Sequence, residues 1–116
     1  MSQPPAFQLY VRDYLMSTRH LPPDARGIYM DLLCLSWDQD GIPADHGGLP
    51  AYLAITPAKL KKIWPLIEDK FVDAEDGRLR NPRQEKLRAE YEELRRKRAA
   101  AGRKGGQAKP KPEESK

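Results

Sequence analysis

The last large apolar side chain of this 116-residue sequence is Leu94, so a hydrophobic core has to be assembled before it. Everything from Arg95 onward lacks an anchor. That boundary divides the chain into an expected folded body over residues 7–94 and a basic extension over 95–116. A body of this size is one domain with one core, which leaves no room for a two-domain enzyme with a cleft between its halves. Charged residues make up 33% and hydrophobic residues 39% of the chain, a polar balance that still fills a small core.

Charge follows a similar division. Residues 1–77 hold 7 basic and 11 acidic side chains, a net −4, whereas residues 78–116 hold 14 basic and 6 acidic, a net +8. With a pI near 9.3, this asymmetry points to a polyanionic partner. Nucleic acid comes ahead of membrane, because no amphipathic apolar stripe accompanies the densest charge. No apolar run approaches the roughly 20 residues of a membrane span, and residues 1–6 lack the basic-then-apolar layout of a secretory signal. Cys34 has no second cysteine to pair with, so a reducing cytoplasm is the expected compartment.

Periodicity and turn chemistry set the expected elements. Phe7, Leu9 and Val11 alternate with polar neighbours as in a short strand. A short helix over 12–20 follows, with Tyr14, Leu15 and Met16 as its apolar content, ending at the Leu21-Pro22-Pro23 break. Pro23 and Asp24 start the next helix, in which Ile28, Leu32 and Leu35 share one line and Tyr29, Leu33 and Trp37 the adjacent one. Cys34 lies in this core helix, and Gly41 ends it. Ile42-Pro43 leads to Asp45, a cap for a short helix through Leu49, Tyr52, Leu53 and Ile55. Thr56-Pro57 then caps a helix to about Asp69, with Leu60, Ile63, Trp64 and Ile67 inward and a bend at Pro65.

Glu75-Asp76-Gly77 between two short runs reads as a β-hairpin. Asn81-Pro82-x-Gln84 opens a long helix with a capping-box-like exchange. Leu87, Tyr91 and Leu94 form its apolar line, and Glu92/Arg96 and Glu93/Lys97 are i, i+4 pairs. Gly102 is positioned to stop it, and 102–116 has the composition of a disordered tail.

Strand, helix, short helix pair, hairpin and long helix form an α+β, mainly α, arrangement with the order of a winged-helix domain: a helix-turn-helix with a hairpin wing. Its third helix carries Lys59, Lys61 and Lys62 and its wing Arg78 and Arg80. Arg95, Arg96, Lys97 and Arg98, then Arg103 and Lys104, continue the basic surface. Lysines meeting phosphates predict double-stranded DNA binding with weak base discrimination. Trp37 and Trp64 read as core rather than stacking platforms. Asp38-x-Asp40-Gly41 with Asp45 lacks the remaining ligands of a calcium loop. His20, His46 and Cys34 form no nucleophile motif, and two histidines with one cysteine make no zinc set. No catalysis, metal or cofactor is expected.

Asp13-Tyr14, Thr18, Leu21, Gly27-x-Tyr29-x-x-Leu32-Leu33, Trp37, Gly41-Ile42-Pro43 with Asp45, Phe71, Gly77-x-Leu79 and Ala101-Gly102-Arg103-Lys104-Gly105-Gly106 resemble the YdaU-like domain of bacteriophage and prophage genomes. The resemblance runs from Phe7 to Gly106. It departs at Pro22-Pro23, which replace a polar helix cap. It implies a winged-helix-like domain of phage DNA replication, acting at an origin or in helicase loading. Activities of a longer replication protein are not expected within this stretch. The alternative is an adaptor that recruits a helicase, a loader or a second copy of itself, with the basic tail as a non-specific DNA anchor.

Overall fold

Pro23 and Asp24 start the central helix, α2 (Pro23–Gln39). Proline supplies a helical φ where the N–H has no intrahelical acceptor, and Asp24 Oδ1 accepts from the Ala25 N–H at 2.8 Å. In the computed structural model, which describes residues 5–108 and side chains as far as Gly102, both apolar lines of α2 are covered. Ile28, Tyr29, Leu32, Leu33, Leu35 and Trp37 are all buried. Cys34 is exposed, against its expected place in the core. It belongs to the solvent stripe formed with Gly27, Asp31 and Asp38, which share its face at helical spacing.

The helix ends one residue before the expected glycine. Asp40 adopts the left-handed conformation at φ 57°, and the Gly41 N–H returns to the Ser36 carbonyl at 2.8 Å, a Schellman-type ending. Gly41 is required twice over: its φ is +104°, and a Cβ there would lie 3.0 Å from the Leu79 carbonyl oxygen. That close approach admits β1 (Ile42–Pro43) to the sheet.

The Asp-Gly hairpin forms as its turn residues predict, with β2 (Val72–Asp73) and β3 (Arg78–Arg80). The sheet is three-stranded and antiparallel in the order β1-β3-β2, with Ile42 opposite Leu79 and Val72 opposite Arg80. Pro43 is tolerated because β1 is an edge strand. The expected strand at Phe7 to Val11 is absent: residues 7–10 are irregular and Val11 opens α1 (Val11–Thr18). Instead of pairing with a neighbouring strand, Phe7 sets its ring 5.5 Å from that of Trp37.

α1 is held through its polar atoms more than its apolar ones. Leu15 and Met16 are exposed. Tyr14 is half-buried and stacks on Tyr29 with ring centroids 6.2 Å apart. Lys70 Nζ donates to the Ser17 carbonyl at 3.0 Å, placing a cation at the C-terminal end of the helix dipole.

Asp45 does not cap the next helix. Its Oδ1 accepts from the Gly47 N–H at 2.9 Å within the loop, and α3 (Leu49–Leu53) starts from Gly48. Ile55 lies beyond it, after Ala54 in the left-handed conformation at φ 58°. α4 (Pro57–Ile67) is capped as expected, with Thr56 Oγ1 accepting from the Lys59 N–H at 3.1 Å. It buries Leu60, Ile63 and Ile67, passes through Pro65, and tightens into a 3-10 turn over Glu68–Lys70. Trp64 is half-buried between Phe71 and His46, at ring distances of 5.8 and 4.4 Å.

Asn81 caps α5 (Pro82–Ala108) by accepting from the Gln84 N–H at 3.1 Å. The reciprocal half of the expected capping box is missing. Gln84 is buried, and its Nε2 donates to the Leu33 carbonyl of α2 at 2.7 Å instead. A tertiary acceptor has displaced the local one. Leu87 is buried and Tyr91 half-buried, but Leu94 is 42% exposed, so the packed part of α5 ends a turn earlier than its apolar line implies. Gly102 does not stop the helix, which continues to Ala108. Gly102 costs about 1 kcal/mol in a helix interior, and Gly105 and Gly106 lie in the same helical span. The expected disordered tail is therefore helical as far as 108, and 109–116 lies outside the described residues. The ion pairs on this segment are i, i+3, Glu92 with Arg95 and Glu93 with Arg96, rather than the i, i+4 pairs expected. With α5 projecting, the molecule measures 65 × 30 × 23 Å.

Two substitutions test this packing. Leu33→Ala is expected to cost about 2–5 kcal/mol, enough to threaten a small domain, as read by urea unfolding. Ala54→Gly is expected to stabilise. Relief of the left-handed alanine is worth about 1–2 kcal/mol, and the added unfolded-state entropy takes back about 0.4–1. A rise of a few degrees in the thermal midpoint should follow, whereas a fall would show that Ala54 is unstrained.

Candidate nucleic-acid interface

The exposed face of α4 repeats at helical spacing through Ala58, Lys61, Lys62, Pro65 and Leu66. Lys61 and Lys62 point away from the buried Leu60, Ile63 and Ile67 line and make no ion pair with any described residue. Lys59 differs. Its ammonium pairs with Asp24 at the start of α2, and that hydrogen bond draws the Asp24 carboxyl below the usual carboxylate range. The side chain thus ties α4 to α2 and is half-buried.

Arg78 and Arg80 are placed on the hairpin as expected, but their guanidinium groups turn inward to the end of α2. Arg78 donates to the carbonyls of Asp40 at 3.1 Å and Gly41 at 2.5 Å. Arg80 donates to the Asp40 carbonyl at 3.1 Å and pairs with Asp76 Oδ2 at 2.8 Å. Arg88, absent from the expected site, completes the group from α5. It donates to the Ser36 carbonyl at 2.6 Å, pairs with Glu85 Oε2 at 2.9 Å, and lies 4.7 Å from the Trp37 ring.

Three guanidinium forks thus converge on carbonyls at and just past the C-terminal end of α2, those of Ser36, Asp40 and Gly41, and oppose the negative end of its dipole. The hint available in the sequence is the arginine spacing itself. Alternation in a strand puts Arg78 and Arg80 on one face, but it does not say that this face meets a helix end.

On α5 every described side chain from Glu92 to Gly102 is exposed. Arg95 and Arg96 are engaged with Glu92 and Glu93, while Lys97 and Arg98 make no ion pair with a described residue. The side chains of Arg103 and Lys104 lie outside the described set. The expected site is therefore brought together only in part. Lys61 and Lys62 form one patch, Lys97 and Arg98 a second on the projecting helix, and Arg78 and Arg80 serve the body.

Arg95 hydrogen-bonds Glu92 and lowers its carboxyl, and Arg80 does the same to Asp76. With folded values below unfolded ones, these pairs favour the folded state at neutral pH. Their contribution disappears as the pH falls through the depressed values. Asp24, Asp76 and Glu92 are all exposed, so the effect is small.

Among the described residues no group of three metal-ligating side chains lies together, and no described helix is long and apolar enough to cross a membrane. The architecture is α+β and mainly helical, with a small antiparallel sheet and uncommitted cations on α4 and α5. By its sequence the chain belongs to the family described as "Protein of unknown function (DUF1376)", which it matches over residues 5–89. It is also similar to the "Uncharacterized protein YdaU" of Escherichia coli (strain K12), 30% identical over 109 residues. The alignment takes in 94% of this chain and 38% of that relative, so the chain spans well under half the relative's length. No solved structure matches the chain.

The division between structural and uncommitted cations has a direct test. Arg78→Ala should lower stability by about 1–3 kcal/mol, because it strips charged donors from a helix end. Lys61→Ala with Lys62→Ala should stay within about 0.5 kcal/mol of the parent. Urea denaturation separates the two outcomes.

Proposed function

We propose that this chain is a DNA-binding winged-helix module of phage or prophage DNA replication, acting at an origin or in helicase loading, with no catalytic step of its own. The observation that carries the reading is the order and pairing of its elements. The order is α2, β1, α3, α4, β2, β3, with β1 paired to the second strand of the hairpin. In a domain of this kind α3 and α4 are the helix-turn-helix, joined here by Ala54-Ile55-Thr56. The second helix of the pair enters the major groove, and the hairpin reaches the backbone beside it.

Lys61 and Lys62 on the solvent face of α4 are suited to phosphates, as are Lys97 and Arg98 on α5. Helix α4 carries no Asn, Gln or Arg to read base edges. Double-stranded DNA bound with weak sequence preference, and with an affinity governed by counterion release, is the partner this surface fits. The inward use of Arg78 and Arg80 shifts the expected contact from the wing toward α4 and α5.

A second reading, the adaptor, is favoured by one feature of the same face. Leu66 is 42% exposed and lies one turn beyond Lys62, beside exposed Pro65. A helicase, a loader or a second copy of the chain would cover it.

DNA affinity measured across salt concentrations tests the choice. Replacing Lys61 and Lys62 together with Ala should reduce the slope of log affinity against log salt by about two units. Removing residues 95–116 should weaken binding further while the thermal transition stays nearly unchanged. An unaltered slope in the double variant, with binding abolished by the truncation, would give the body to the adaptor reading.

A further inference from the structure

Arg83, Leu87 and Glu90 on α5 border a groove whose other wall includes Phe7, Leu9 and Tyr10. Leu94 lies four residues beyond Glu90 and seven beyond Leu87, so it continues the same helix face past the groove, 42% exposed. Ala101 repeats that face seven residues later and is exposed as well. We propose that two copies of the chain pair along this face, their α5 helices antiparallel about a two-fold axis at Leu94. The inference is independent of the DNA-binding reading, with Lys97 the one residue they share.

The charges of α5 identify the occupant as a second copy. In an antiparallel pair about a two-fold axis, residues equally far from the axis in opposite directions meet, and each meeting occurs twice. Glu90 lies four residues before Leu94 and Lys97 three after it, on the same flank of the stripe. The Glu90 carboxylate of each helix therefore comes to the Lys97 ammonium of the other. Both side chains are exposed, and neither makes an ion pair with a described residue. At the axis Leu94 meets Leu94, and Ala101 comes opposite Leu87 beside the groove of the other copy, where a methyl group lets the helices approach closely. A parallel pair would put Glu90 level with Glu90 and Lys97 level with Lys97. The charges thus choose the direction too.

The length of α5 supplies a second reason. Tyr91, with its ring 5.9 Å from that of Trp37, carries the last aromatic contact of α5 with the body. The helix nevertheless runs on to Ala108 through Gly102, Gly105 and Gly106. An isolated helix of about 15 residues is marginal in water even when alanine-rich, and each glycine costs about 1 kcal/mol more. Packing against a second helix compensates for that.

Sedimentation equilibrium on the intact chain, without DNA, provides the test. The mean mass should rise from 13.3 kDa toward twice that value between about 10 µM and 1 mM protein. Leu94→Glu should hold the chain monomeric over that range, with an unchanged thermal transition at low concentration because the side chain is exposed. Glu90→Lys and Lys97→Glu should each weaken association about tenfold, since each turns two attractive pairs into repulsive ones. Mixing these two variants should restore association to near the parent's strength, because the mixed pair regains both Glu–Lys contacts. A parent chain that stays monomeric at every concentration, or a dimer indifferent to Leu94→Glu, would overturn the proposal. Failure of the two charge variants to associate with each other would overturn the antiparallel register, and the proposal with it.

Discussion

The carbonyl end of α2 is where the rest of the molecule is fastened. A helix terminus leaves four carbonyls without intrahelical donors and concentrates negative partial charge on them. Here Arg78 and Arg80 come to it from the sheet and Arg88 from the long helix. Guanidinium suits the task because it presents several donors in a rigid plane and stays charged at any relevant pH. One site therefore fixes both the hairpin and the start of α5 relative to the central helix. Gly41 makes this possible, since a side chain there would collide with the strand that brings the arginines in.

Aromatic contacts extend the same body in two directions from α2. Trp37 receives Phe7 from the N-terminal segment and Tyr91 from α5. Tyr29 meets Tyr14 on α1 and the edge of Phe71, and Phe71 in turn stacks on Trp64 of α4. Segments distant in sequence thus reach one helix through rings whose areas are large for their conformational cost. Beyond Tyr91 nothing of the kind remains. The helicity of α5 there rests on alanine propensity and short-range ion pairs, each worth a few tenths of a kcal/mol. Such a segment belongs to the least stable part of the fold, with cations close to its end.

This arrangement changes what the charge count means for function. Composition assigns every cation of the C-terminal half equally to a polyanion, yet three of its arginines are committed to α2. The surface left for DNA is smaller and divided between α4 and the projecting helix. Lysines dominate on α4, and a lysine meets a phosphate as a point charge, without the fork that reads guanine.

Where the signal was local, the sequence was sufficient. Thr56-Pro57, Pro23-Asp24, Asn81-Pro82 and Asp76-Gly77 each set a backbone angle or supply a cap within a few residues, and the helices and the hairpin begin or turn where they say. The two apolar lines of α2 likewise follow from periodicity. Tertiary structure decided the rest. Two residues, Ile42 and Pro43, have no period to reveal a strand, and they form one because β3 offers an edge. Phe7 to Val11 has the period of a strand but finds a ring to pack on, not a partner to pair with. Gln84 and the hairpin arginines carry groups that any acceptor can satisfy. Which acceptor each one takes depends on the end and flank of α2, which reach them only once residues some 40 to 50 positions apart have met.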